Sequence, residues 1–271
     1  MIFASDLDRT LIYSRNSMGE GIPEDELMPV ELYNNEVLSF MTVQSLTLLK
    51  EISDIATFIP VTTRTIEQYQ RIFGIKDTFS PKYAITSNGG NILIDGTPDQ
   101  EWASLVQTAM LTSAEHQEIK ELFDTLSTPD WALRGRLCDG MFYTIIIDRN
   151  IMPEEVLDSL RDQLSLLGWS ISVQGRKMYL IPSRINKGDA LRYIMDRLGT
   201  SYVAAAGDSL LDESLLAVAD YAIAPGHGEL FNVYAASNIY KFTTSAGIRA
   251  SEELLLGIKQ EMRLLASLVD G

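Results

Sequence analysis

Apolar runs and helical stripes alternate along the first hundred residues. "MIFAS" is a short apolar run followed by Asp6 and Asp8, and it reads as a buried strand. Residues 14–36 are polar and irregular, with Gly19, Gly21, Pro23 and Pro29, and predict a long loop. Residues 42–54 set Leu46, Leu49 and Ile52 at helical spacing behind Thr42, a suitable N-cap. "IATFIPVTT" is a second strand, and "TIEQYQRIFGI" a helix with Gly74 placed as its C-cap. "YAITSNGG" is a third strand and "NILIDG" a short fourth. This rhythm predicts a parallel sheet wound with helices. It resumes late, with a helix over 187–198, the small-residue strand "YVAAAGD", the helix "DESLLAVA", the strand "YAIAPG" and a closing helix over 246–267.

Between about 104 and 180 the pattern changes. A helix near 113–127 precedes two strand-like runs, "WALRGRLCDG" and "MFYTIIIDRN". A helix near 153–167, with Pro153 in its first turn, precedes two more, "WSISVQG" and "KMYLIP". Helix–strand–strand twice over suits an antiparallel sheet with helices on one face. The expected organisation is an α/β core from 1–103 and 181–271, with an inserted α+β (αββαββ) domain at 104–180.

Composition narrows the function. With 271 residues, 46% of them apolar, the chain has enough material for a large core or a core plus insert. Asp and Glu number 37 against 22 Lys and Arg, a net charge of −15. A field of that sign opposes nucleic acid and anionic membrane, and no basic run overrides it. There is no 18-residue apolar stretch and no signal-peptide pattern, so a cytoplasmic protein is the simplest reading. The single cysteine, Cys138, excludes an intrachain disulfide and reads as an apolar filler. Trp102, Trp131 and Trp169 read as packing residues.

Candidate chemistry lies beyond the strand ends, where parallel α/β sheets bind ligands. The first strand ends in Asp6, Asp8 and Thr10, the second in Thr62, Thr63 and Arg64, and the third in Ser87, Asn88 and Gly89. The late strand ends in Asp208 and Ser209, with Asp212 one turn on, and Lys187 opens the preceding helix. Singly, each has a bland explanation: a chance pair, a cap, a turn, a solvated lysine. Jointly they bring carboxylates, hydroxyls and one ammonium to one sheet edge. Hard cations such as Mg²⁺ take one or two carboxylates plus phosphate oxygens. A carboxylate can attack phosphorus, while a second acid serves the leaving oxygen and then water.

With these residues assembled, the chain resembles the haloacid dehalogenase (HAD) superfamily of phosphohydrolases. Within it, the chain resembles the branch with a type IIB cap, which includes Cof-type, sucrose-phosphate and mannosylphosphoglycerate phosphatases. "DLDRTL", "PVTTR", "TSNGG", "NKGDAL" and "GDSLLD" match the motifs in order. The resemblance implies a Rossmann-like core and a cap that closes over the site and selects the leaving group. It implies Asp6 as nucleophile and metal ligand, and Asp8 as general acid/base with its backbone carbonyl on the metal. Thr62 and Lys187 would hold the phosphoryl group, Asp208 would ligate Mg²⁺, and Asp212 would orient Lys187 or support the metal. Thr63, Arg64, Asn88 and Gly89 are further candidate substrate contacts, as are Arg134, Arg136, Arg176 and Lys177 of the cap, with Arg184 near the junction.

Two positions depart from the pattern. Leu211 stands where Asn is expected, removing a polar contact, and Thr63 replaces the usual Gly, tightening the space around the phosphate. The expected function is a Mg²⁺-dependent phosphatase acting on a phosphorylated small metabolite, with a sugar phosphate as one candidate. Alternatives are a phosphomutase of the same superfamily and a non-catalytic binding or regulatory protein that retains the fold.

Overall fold

A computed structural model describes residues 1–237 and 239–269. The chain forms two compact units, one from Met1–Pro98 with Lys187–Gly271 and one from Asp99–Asn186. None of the described helices is long and apolar enough to cross a membrane.

In the first unit β1 (Ile2–Asp6) is buried along its whole length. The hairpin β2 (Leu27–Tyr33) and β3 (Glu36–Thr42) follows, then α1 (Val43–Ser53), β4 (Thr57–Val61), α2 (Ile66–Gln70), α3 (Phe73–Phe79), β5 (Tyr83–Thr86), β6 (Asn91–Ile94) and β7 (Thr97–Pro98). Thr42 caps α1 as its residue type predicts, accepting from the Ser45 amide at 3.0 Å. Leu48, Leu49 and Ile52 of that helix are buried.

The second unit contains α4 (Gln100–Met110), α5 (His116–Leu126), β8 (Ala132–Cys138), β9 (Phe142–Ile147), α6 (Glu154–Leu166), β10 (Trp169–Gln174) and β11 (Lys177–Pro182). Its four strands pair antiparallel in the order β10-β11-β9-β8. One face buries Ile145, Ile147, Met178, Leu180 and Trp169, together with Ile119 and Phe123 of α5 and Leu160 and Leu164 of α6. The register sets Gln174, Lys177, Ile146 and Arg134 in one row across the other face. Ser172, Tyr179, Thr144 and Arg136 form the next row.

The chain completes the first unit with α7 (Lys187–Leu198), β12 (Val203–Ala206), α8 (Glu213–Leu216), β13 (Tyr221–Ala224), α9 (Glu229–Tyr234), β14 (Lys241–Phe242) and α10 (Ile248–Val269). The unit's main sheet runs β14-β13-β12-β1-β4-β5-β6-β7. Pairing is parallel from β14 to β5 and antiparallel beyond. The core of the unit joins Phe3, Leu49, Ile52, Phe58, Leu254 and Ile258, with the Phe3 and Phe58 rings stacked 5.6 Å apart. This is the expected α/β class, a parallel-sheet core with an inserted antiparallel α+β unit.

Three local expectations are corrected. Residues 27–33 are strand rather than loop. Asn34 and Asn35 turn the chain back, both with positive φ (52° and 64°), as a two-residue hairpin turn requires. An irregular register around Glu31 breaks the alternation that would have marked β2 as a strand. "TIEQYQRIFGI" is two short helices, and Gly74 lies inside α3 rather than capping it; Ser80, at φ 43°, is the C-cap. Gly74 is small because β2 crosses it: an added Cβ would fall 2.5 Å from the Val30 side chain. Finally α4 lies outside the expected elements, although Trp102, Leu105, Val106, Ala109 and Met110 recur at helical spacing; of these only Val106 is buried.

We expect Gly74→Ala to cost about 1–3 kcal/mol of stability through overpacking, read as a lower urea midpoint. A wild-type midpoint would mean that α3 and β2 are not in this contact.

Candidate active site

The site grows from the carboxyl ends of adjacent parallel strands. Asp6 is the last residue of β1, paired with Val61, so Thr62, Thr63 and Arg64 leave the neighbouring strand beside it. On the other flank Ser5 pairs with Ala206, and Gly207, Asp208 and Ser209 follow. Gly207 is required there, since an added Cβ would lie 2.4 Å from the Asp212 Cβ. Asp212 is then fixed by the Ser209 amide and hydroxyl, which donate to its Oδ2 at 2.9 and 2.8 Å.

Lys187 is the first residue of α7 and is fully buried. Its ammonium donates to Asp6 Oδ1 at 2.7 Å and to Asp212 Oδ1 at 2.5 Å. The other Asp6 oxygen accepts from the Thr10 hydroxyl at 3.2 Å. Carboxylate oxygens of Asp6, Asp208 and Asp212 all lie within 4.8 Å of one another. Three buried carboxylates therefore face one buried ammonium. Arg9 adds a weaker contact, its Nε 3.8 Å from Asp208.

The electrostatics follow from that imbalance. Burial, with the Asp212 and Asp8 charges, outweighs Lys187 and pushes Asp6 up to about 7. Burial first, then Asp6 and Asp212, pushes Asp208 well above the usual carboxylate range. Burial acts to lower Lys187, but Asp212 and Asp6 outweigh it and hold the ammonium charged. A cluster of hard oxygen donors with surplus negative charge suits a divalent cation such as Mg²⁺. Asp6, Asp208 and Asp212 are the residues that would hold it.

Arg64 is engaged rather than open. Its Nε and Nη2 donate to the two Asp8 oxygens, both at 2.7 Å. Its Nη1 and Nη2 donate to Glu31 at 2.6 and 3.0 Å. Thr62 is buried and its hydroxyl accepts from the Arg64 amide at 3.1 Å. The Asn88 amide donates to the Thr62 carbonyl at 3.1 Å, and Asn88 is held in the left-handed region at φ 58° with Gly89 buried beside it. Thr63 is half-buried.

Residues 1–228 match the profile of the sucrose-6F-phosphate phosphohydrolase family. The chain belongs to that family. Over nearly its whole length it shares the fold of the sucrose-phosphatase of Synechocystis sp. PCC6803, solved with sucrose and phosphate. The TM-score is 0.69 at 17% identity, covering 97% of this chain and 98% of that one. BT1666 of Bacteroides thetaiotaomicron, described among the phosphatases of the HAD superfamily, aligns with TM-score 0.57 at 16% identity, covering 96% and 94%. A phosphoglycolate phosphatase of Pyrobaculum neutrophilum is 32% identical over 91 residues, 33% of this chain and 40% of that protein. The chain is thus a type IIB member of the HAD superfamily.

In the first unit the structure gathers Asp6, Lys187, Asp208 and Asp212 into one ionic cluster and pairs Asp8 with Arg64, with Thr62 leaving the strand beside Asp6. In the second unit Arg134, Arg136 and Lys177 share the face opposite its helices, whereas Arg176 lies in the β10–β11 turn. Leu211 is half-buried in the turn before Asp212 and offers no polar side-chain atom. Glu31 escaped the sequence reading. It sits in a segment without catalytic spacing, and only the hairpin brings it to Arg64.

In chelator, the shift of Asp6 makes folding take up a proton between the ordinary carboxylate value of 3.8 and about 7. The raised value favours the folded state when the group is protonated. That contribution is full below about pH 4 and lost as pH rises through about 7. We expect the wild-type melting temperature in chelator to fall over this window and Asp6→Asn, which cannot ionise, to flatten the fall. Parallel curves for the two proteins would contradict the buried-charge imbalance.

Proposed function

We propose that this chain is a cytoplasmic, Mg²⁺-dependent phosphatase that hydrolyses a small phosphorylated metabolite through an aspartyl-phosphate on Asp6. The observation that carries the reading is the buried Asp6–Lys187–Asp212 group at the carboxyl edge of a parallel sheet, with Asp208 beside it. Family membership supports the same reaction class.

The chemistry asks little of each residue. A carboxylate oxygen of Asp6 forms a bond to phosphorus as the ester P–O bond breaks. Lys187 and the Thr62 hydroxyl stabilise charge on the phosphoryl oxygens. Mg²⁺, held by Asp6, Asp208 and Asp212 with the Asp8 carbonyl, would supply further neutralisation of that charge. Asp8 gives a proton to the leaving oxygen, then takes one from the water that attacks the phosphoryl-aspartate. Inorganic phosphate and free Asp6 result. Asn88 and Gly89 are assigned to the phosphate or leaving group, and Thr63 to shaping the space around it.

The unit Asp99–Asn186 is proposed as the cap, with 104–180 as its essential insert. Arg134, Arg136 and Lys177, exposed on one sheet face of an acidic protein, are proposed to bind the non-reacting part of the substrate. Arg176 and Arg184 are secondary candidates. The hydroxyl-bearing neighbours Ser172, Tyr179 and Thr144 favour a polyhydroxylated leaving group, and the sucrose-phosphatase relative supports a sugar phosphate.

The test is hydrolysis of 4-nitrophenyl phosphate, sucrose 6F-phosphate, hexose 6-phosphates and phosphoglycolate at neutral pH, with Mg²⁺ or chelator. We expect turnover of at least one alkyl phosphate. Chelator should abolish it, and Asp6→Asn should lower kcat at least about a thousandfold. Turnover that survives both treatments would overturn the proposal. Turnover only after adding a bisphosphorylated activator would reassign the protein as a mutase.

A further inference from the structure

Glu31 lies outside every motif of the family resemblance, yet it is 2% exposed and ionically bonded. Buried carboxylates are retained only when paired, because desolvation is costly. Its position has a local cause. The register of β2 against β3 shifts on both sides of Glu31, and Val30 and Glu31 are both buried where a regular strand would expose one. The irregularity turns Glu31 inward beneath Ser39, whose hydroxyl donates to Glu31 Oε2 at 2.5 Å.

Glu31 and Asp8 share one cation. The Arg64 guanidinium spends its Nε and one Nη2 hydrogen on Asp8, and its Nη1 and the other Nη2 hydrogen on Glu31. Glu31 is the buried partner, whereas the Asp8 side chain is 48% exposed. In this arrangement both Asp8 oxygens accept from Arg64, so Asp8 must leave Arg64 and take up a proton from solvent before it can protonate a leaving oxygen, and it returns that proton to solvent when it re-forms the ion pair. Without a second carboxylate, its departure would strand a largely buried guanidinium with no counter-charge. With Glu31 in place, the guanidinium keeps a bidentate partner throughout.

We propose that Glu31 is a positioning residue: by holding Arg64 with a permanent counter-charge, it lets Asp8 alternate between a parked ion pair and the leaving group. The proposal rests on the assignment of Asp8 as general acid/base.

Leaving-group dependence tests it. Departure of an alkoxide needs a proton, whereas 2,4-dinitrophenolate leaves without one. The probes are 2,4-dinitrophenyl phosphate and the alkyl phosphate of the panel above with the highest turnover, assayed on the full chain with Mg²⁺. Glu31→Gln should lower kcat/KM for the alkyl phosphate about tenfold to a hundredfold and change the dinitrophenyl value by no more than about twofold. Ser39→Ala, which keeps the Glu31 charge but removes its hydroxyl donor, should show a smaller selective loss and decides the matter if Glu31→Gln does not fold. Asp8→Asn is the reference. If its loss is not selective for the alkyl phosphate, the acid/base assignment of Asp8 falls, and this proposal with it. If Asp8→Asn is selective but Glu31→Gln lowers both substrates equally, or neither, the role of Glu31 alone is overturned.

Discussion

The ammonium of Lys187, sealed between Asp6 and Asp212, is the contact on which the site depends. A lone buried cation would be expelled or neutralised, and carboxylates this close would repel. Each is tolerated because the other is present. The group also ties together segments remote in sequence: the end of β1, the start of α7 and the turn after β12. Removing the ammonium would leave Asp6, Asp208 and Asp212 facing one another without their central counter-charge, so folding and chemistry share one constraint.

That constraint explains the local sequence. The strands that deliver Asp6 and Asp208 are short and wholly buried, and β12 is nearly all alanine. Gly207 gives up its side chain so that Asp212 can close on the cluster, and Ser209 then clamps Asp212 from the opposite side. The remaining negative surplus is what a divalent cation would neutralise, consistent with Asp6 and Asp208 both being raised by burial. A second ionic group lies on the flank toward β4, where Arg64 joins Asp8 to Glu31. The two groups are of different character. Lys187 is fully enclosed between its carboxylates, whereas the Asp8 side chain is half exposed beside Arg64.

The α/β core and its insert were legible because apolar runs ended in polar punctuation at each strand, and the candidate carboxylates followed those runs in order. Asp6, Asp208 and Lys187 could be placed at one edge from topology alone. What could not be read was set by contacts between segments. Gly74 looked like a helix terminator, but its smallness serves the crossing of Val30. The β2–β3 hairpin was hidden by Pro29 and the shifted register, and with it went Glu31. Helix α4 does carry a helical stripe (Trp102, Leu105, Val106, Ala109 and Met110), but it falls where the core rhythm gives way to the insert, and only Val106 of it is buried. Arg64 reads in the sequence as a candidate substrate contact, and its bonds to two carboxylates are a fact that no spacing in the sequence contains.

The most direct test of the central claim is to look for the phosphoryl group on Asp6 itself. The wild-type protein would be mixed with Mg²⁺ and the best phosphate ester, quenched in acid within milliseconds, digested, and the peptide containing residues 3–12 examined by mass spectrometry. A phosphoryl-aspartate at Asp6, absent from Asp6→Asn and lost on standing in base, is the result predicted here. Steady turnover with no modified Asp6 at any quench time would contradict it, and would mean that water attacks the ester directly without this carboxylate as nucleophile.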